Sequence, residues 1–122
     1  MGDITINQGT LGIETTPPMG IPSSTLTINS GATLGFYANN NIATPLNKVL
    51  VMNGGNWLND NGDNYFSGPI TLNGQNNTFQ VGATLRLTGP IGGPGGLIKN
   101  GAGSLHLVAA NSFAGNIVHN YG

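Results

Sequence analysis

Thr5-Ile6-Asn7-Gln8-Gly9-Thr10-Leu11 and Thr27-Ile28-Asn29-Ser30-Gly31-Ala32-Thr33-Leu34 are one phrase written twice. A related start returns as Thr71-Leu72-Asn73-Gly74. Each copy is a short run with apolar residues at every second position, closed by Asn and then Gly. Period-two alternation is the mark of a half-buried strand, and Asn and Gly supply the tight corner that ends it. Similar runs fill the chain: Ile4/Ile6, Leu26/Ile28, Val49/Val51, Ile70/Leu72, Leu85/Leu87 and Leu105/Leu107. The first apolar positions of the recurring units, Ile4, Leu26, Val49, Ile70, Leu97 and Ile117, lie 22, 23, 21, 27 and 20 residues apart. No window holds the i, i+3, i+4, i+7 pattern of a helix, and Gly or Pro interrupts almost everywhere.

A repeat of this length with one turn-rich strand unit per repeat predicts an all-β solenoid of about five coils of roughly 20–27 residues. A sandwich would show paired hairpins every 8–12 residues without the longer self-similarity. Coils stacked at about 4.8 Å would make a rod of roughly 24 Å. Inward columns are expected at Ile4, Ile6, Leu26, Ile28, Ile70, Leu72, Leu105 and Leu107. Asn7, Asn29, Asn53 and Asn73 are expected to stack as a hydrogen-bonded ladder at one corner. Four stretches, 15–22, 38–45, 59–64 and 89–96, read as loops leaving the solenoid, and Pro is largely confined to them.

Composition agrees. Charged residues are only 6% of the 122, against roughly a quarter in ordinary domains. Disordered chains usually combine few apolar residues with many charges, and here the charges are missing. The net charge of −1 offers no footprint for nucleic acid or an acidic membrane. Cys is absent, which removes disulfides and thiolate chemistry. No apolar run reaches membrane-spanning length. Met1-Gly2-Asp3 shows no leader pattern, so a secreted protein of this sequence is expected here as a mature piece or an excised fragment. Gly2-Asp3-Ile4-Thr5-Ile6-Asn7-Gln8-Gly9 lines up with Gly115-Asn116-Ile117-Val118-His119-Asn120-Tyr121-Gly122. This predicts a single solenoid segment over 1–122 that is one period of a longer tandem array or a unit that stacks head to tail.

Gly95-Gly96-Leu97-Ile98-Lys99-Asn100-Gly101-Ala102-Gly103-Ser104-Leu105-His106-Leu107, followed by Asn111-Ser112-Phe113-Ala114-Gly115, resembles the passenger-associated β-strand repeat of autotransporter proteins. The fixed positions of that motif fall on Gly95, Gly96, Leu97, Lys99, Gly101, Gly103, Leu105, Leu107, Asn111, Phe113 and Gly115. Similarity weakens outside these residues and covers about 65–122. Val118-His119-Asn120-Tyr121 departs from the usual Thr and small residues near the motif's end. The resemblance implies a right-handed parallel β-helix on an exported, extracellular or cell-surface protein. Its motif is structural and transfers no catalytic residue.

Chemistry-bearing residues are sparse. The acids are Asp3, Glu14, Asp60 and Asp63, and only Asp60 and Asp63 are neighbours. They are weak calcium candidates in an oxygen-rich stretch without EF-hand spacing. His106 and His119 lack a nearby acid or Cys. Gly92-Gly93-Pro94-Gly95-Gly96 lacks the Lys-Ser/Thr of a phosphate loop, and Ser104 has no base in its motif. Trp57 and Tyr65, with Phe36, Tyr37, Phe66 and Tyr121, form a possible ligand face for glycan stacking. The expectation is therefore a non-enzymatic structural module without cofactor or metal, whose partner is itself, head to tail. A glycan-binding or adhesive module is the alternative.

Overall fold

The computed structural model describes residues 2–14, 22–37 and 46–122, and among them there is no helix. Among the described residues no helix is long and apolar enough to cross a membrane. The strands are β1 (Ile4–Ile6), β2 (Gly9–Ile13), β3 (Thr25–Asn29), β4 (Ala32–Phe36), β5 (Val49–Asn53), β6 (Asn56–Asn59) and β7 (Asp63–Phe66). They continue with β8 (Ile70–Asn73), β9 (Asn77–Val81), β10 (Thr84–Leu87), β11 (Ile91–Gly92), β12 (Leu97–Asn100), β13 (Ser104–Leu107) and β14 (Ile117–His119). They form three parallel sheets. Sheet 1 runs β1-β3-β5-β8-β11, sheet 2 runs β2-β4-β6-β9-β12-β14, and sheet 3 runs β7-β10-β13. Among the described strands β1 to β4 alternate between sheets 1 and 2, and from β5 to β13 the chain visits sheets 1, 2 and 3 in turn, so this is a parallel β-solenoid of about five turns.

Alternation drives the stacking. In β3 and β5 every second residue is buried: Leu26 and Ile28 lie over Leu50 and Met52, with Thr27 and Val51 outside. The interior columns continue through Ile70 and Leu72, and in sheet 3 through Leu85 and Leu87. Leu105 and Leu107 complete that column but are only partly buried, because no described strand lies beyond β13. Trp57 sits at the centre of an aromatic cluster. Its ring lies 5.1 Å from Phe36, 5.1 Å from Phe66 and 5.6 Å from Phe79.

The Asn ladder is present. Asn29 Nδ2 donates to Asn7 Oδ1 at 2.8 Å, Asn53 Nδ2 to Asn29 Oδ1 at 2.9 Å, and Asn73 Nδ2 to Asn53 Oδ1 at 3.0 Å. It runs along the corner between sheets 1 and 2. There Gly9 and Gly31 turn the chain at φ +73° and +86°, a region open to Gly and costly for other residues. At the next rungs Asn77 reinforces the corner. Its amide donates to Asn73 O and Gly96 O and accepts from Gly54 N.

Four sequence expectations need correction. Val49, the first apolar position of its unit, is not the counterpart of Leu26: it faces outward beside Thr25, and Leu50 pairs with Leu26. Leu97 and Ile117 belong to sheet 2, and the sheet 1 partner of Ile70 is Ile91, 21 residues on. The long 27-residue step was a full coil plus a change of face. Asn59–Asn64 and Gly89–Gly96 are not excursions: Asn59 ends β6, Asp63 opens β7, and Ile91–Gly92 is β11. The phrase matched at both ends, 2–9 and 115–122, occupies sheet 1 at one end and sheet 2 at the other, so it does not mark one phase of the coil. Of the loops expected at 15–22 and 38–45, residues 15–21 and 38–45 lie outside the described residues.

Candidate assembly interface at the two ends of the solenoid

The most reactive surface of a β-solenoid is its end, where backbone donors and acceptors and the apolar cross-section lack a neighbour. At one end, among the described residues, β1 pairs with β3 alone and β2 with β4 alone. Ile4 and Leu11 are half-buried there and pack on the core from one side. At the other end, among the described residues, β14 pairs with β12 alone and β13 with β10 alone. Exposed large apolar residues gather at this end: Val108 (62% exposed), Ile117 (56%), Val118 (44%) and Tyr121 (67%). A cavity of about 380 Å³ opens over β13, walled by Leu97, Lys99, Leu105, Leu107, Ile117 and His119. It lies where a strand of sheet 3 would stack on β13.

The resemblance motif builds this end. Lys99 points inward, 4% exposed, and its Nζ donates to Gly101 O (2.6 Å), Gly103 O (2.5 Å) and Tyr121 O (2.5 Å). One ammonium thus ties the corner between sheets 2 and 3 to the last coil. Gly103 is required by proximity: a Cβ there would lie 1.9 Å from Ala83 O of the coil below. Gly95, Gly96, Gly101 and Gly115 also crowd backbone, with Cβ approaches of 2.3, 2.7, 2.4 and 2.5 Å. Asn111 Oδ1 accepts from Ile91 N at 3.0 Å, and Phe113 packs on the core. Every motif residue therefore serves coil-on-coil contact.

The lateral candidates are not brought together. Trp57 is 0% exposed, so it cannot stack on a sugar; it alternates into the lumen of β6 while Asn56 and Leu58 face out. Its Nε1 has no hydrogen-bond partner among the described residues. Phe36 and Phe66 are core as well. Tyr65 stays on the outer face of β7, where Arg86 lies 5.4 Å over its ring. Asp63 is committed to Arg86, at 2.9 Å, and this hydrogen bond holds the guanidinium above its ordinary range. Asp60 is exposed, and among the described residues no group of three or more His, Asp or Glu side chains converges. His106 faces outward on β13 and His119 lies at the mouth of the cavity.

Sequence reasoning missed the burial of two of the three basic residues. Lys48 is 0% exposed and donates to Ser24 Oγ. Its only sequence signal was alternation with the inward Leu46 and Leu50. Comparison with protein-family models, curated proteins and solved structures finds no match to any of them.

Proposed function

We propose that this chain is a structural segment of an extracellular β-solenoid, a stretch of stalk or filament of a surface protein that lengthens by accepting further coils at its ends. The observation that carries this reading is the in-register parallel stacking of the described coils, with apolar columns inside and an Asn ladder along one corner, a pattern that any further coil can continue. Each further coil pairs strand edges and removes apolar side chains from water. At about 25 cal/mol per Å² of apolar area this favours association. Among the described residues the lateral faces offer Thr, Asn and Gly rows and the Asp63–Arg86 ion pair, which suit a passive shaft. The motif at 95–115, which resembles the autotransporter passenger repeat, supports an exported setting. Cryo-electron microscopy of concentrated protein tests the proposal. Rods longer than one copy, with a rise of about 4.8 Å per coil, are expected. Single copies at all concentrations would refute it.

A further inference from the structure

Asn followed by Gly occurs at 53–54, 61–62, 73–74 and 100–101. The pair is chemically labile, because Gly has no side chain to keep its backbone nitrogen away from the Asn Cγ. The fold treats the four pairs unequally. Asn53 and Asn73 are half-buried rungs of the corner ladder: Asn53 Nδ2 donates to Asn29 Oδ1 at 2.9 Å, and Asn73 Nδ2 to Asn53 Oδ1 at 3.0 Å. Behind Asn53 the backbone nitrogen is engaged as well, since Gly54 N donates to Asn77 Oδ1 at 2.9 Å. Asn100 is half-buried and accepts from Asn120 Nδ2 at 2.9 Å. The Gly101 that follows it is packed so closely that a Cβ would lie 2.4 Å from Val81 O.

Asn61 differs from the other three. It is exposed, in the turn between β6 and β7. Among the described residues its carboxamide makes one hydrogen bond, a long one of 3.3 Å from Nδ2 to Tyr37 O. The main chain on either side is held. Asn61 O accepts from the buried Asn64 Nδ2 at 2.8 Å, and Gly62, at φ +83°, accepts through its O from Thr84 N at 3.1 Å. A loosely held, solvated carboxamide therefore sits on a fixed turn with Gly next in the chain.

We infer that Asn61-Gly62 is a site of spontaneous covalent modification, deamidation through a succinimide, and that the stacked coils shield the other three pairs. The Gly62 nitrogen loses its proton to solvent base and bonds to Asn61 Cγ. The Cγ–Nδ2 bond breaks, and Nδ2 leaves as ammonia. One water then opens the ring at either carbonyl, giving aspartate or isoaspartate, and nothing is oxidised or reduced. Either product adds one negative charge to a chain whose net charge is −1, in the turn that already holds the exposed Asp60 and Asp63. The isoaspartate product also lengthens the main chain by one carbon and turns the carbonyl that Asn64 binds into a free carboxylate. Deamidation thus marks the age of each folded copy and loosens the start of β7 against β10. It is independent of end-to-end assembly.

The unmodified chain tests this. Folded protein, and the same protein in concentrated guanidinium chloride, are held at mildly alkaline pH in water enriched in the heavy oxygen isotope. Peptide mass mapping reads conversion at each Asn, and isoaspartyl methyltransferase labelling reads the isoaspartate share. In denaturant the four pairs are expected to convert within about threefold of one another, since no fold shields them. In the folded protein Asn61 should keep at least about a tenth of its denatured rate and take up one heavy oxygen. Asn53, Asn73 and Asn100 should convert at least about tenfold more slowly than Asn61, because local opening must first break their hydrogen bonds. In the purified isoaspartate form the Thr84 amide should exchange its hydrogen at least about tenfold faster than before. Conversion of Asn53, Asn73 or Asn100 as fast as Asn61 in the folded protein overturns the inference. So does an Asn61 rate below about a tenth of the denatured one. An unchanged Thr84 amide overturns the loosening of β7.

Discussion

Asn53→Ala breaks the middle of the corner ladder, and the structure sets the size of the effect. Asn53 donates to Asn29 at 2.9 Å and accepts from Asn73 at 3.0 Å, so one truncation removes two amide–amide bonds. Asn53 is half-buried between coils, where water replaces these bonds poorly. At about 1 kcal/mol net for each bond, the expected loss is about 2 kcal/mol. Asn7 ends the ladder, is exposed and accepts a single bond, so Asn7→Ala should cost about 1 kcal/mol or less. The double variant Asn29→Ala/Asn53→Ala is more telling. Each single change removes two of the three ladder bonds, but they share the bond from Asn53 to Asn29. The pair should cost about 3 kcal/mol rather than 4, a coupling of about 1 kcal/mol. Urea unfolding followed by circular dichroism at dilute, unassembled concentration measures all four proteins, and an unchanged m-value keeps the comparison valid. Equal losses for Asn7→Ala and Asn53→Ala, or strict additivity in the double variant, would refute a chain of direct amide bonds.

Four further outcomes are expected. Gly103→Ala should lose about 2–3 kcal/mol in a thermal melt, because its Cβ forces the coil at Ala83 away. Trp57→Ala should lose about 3–5 kcal/mol, whereas Trp57→Phe, which deletes an unpartnered Nε1, should cost under about 1.5 kcal/mol; both are read from urea midpoints. Lys99→Met strips three backbone carbonyls of their shared donor, costing about 3 kcal/mol, and hydrogen exchange should quicken first at the Asn120 amide, which bonds Lys99 O. Arg86→Ala should leave the urea midpoint unchanged within error, since its pair with Asp63 is solvated on both sides.

Much of the fold was legible because it rests on short-range chemistry. Alternation at Leu26/Ile28 and Ile70/Leu72 reports a strand with one buried face, and that pattern survives any tertiary arrangement. Asn followed by Gly reports a corner, because positive φ suits few other residues. Identical Asn residues one coil apart announced the ladder, since a parallel stack places equals on equals. The glycines of the 95–115 motif were legible as a pattern, but their cause, backbone of the next coil within van der Waals distance, was not.

Sequence alone determined that this chain alternates, turns at Asn and Gly, and repeats about every coil. Only the tertiary structure decided which face each run joins. Leu50 rather than Val49 took the inward place, Ile91 rather than Leu97 continued sheet 1, and Trp57 went to the core rather than to a ligand face. The physical reason is that face and register are set by the summed stacking of whole coils, including corners of unequal length. An apolar side chain such as Val49 costs little on the outside of one rung, so its presence carries no sign of direction. The buried ammonium of Lys99 is the same lesson in reverse. A charged residue reads as solvated until the fold closes a ring of carbonyls around it.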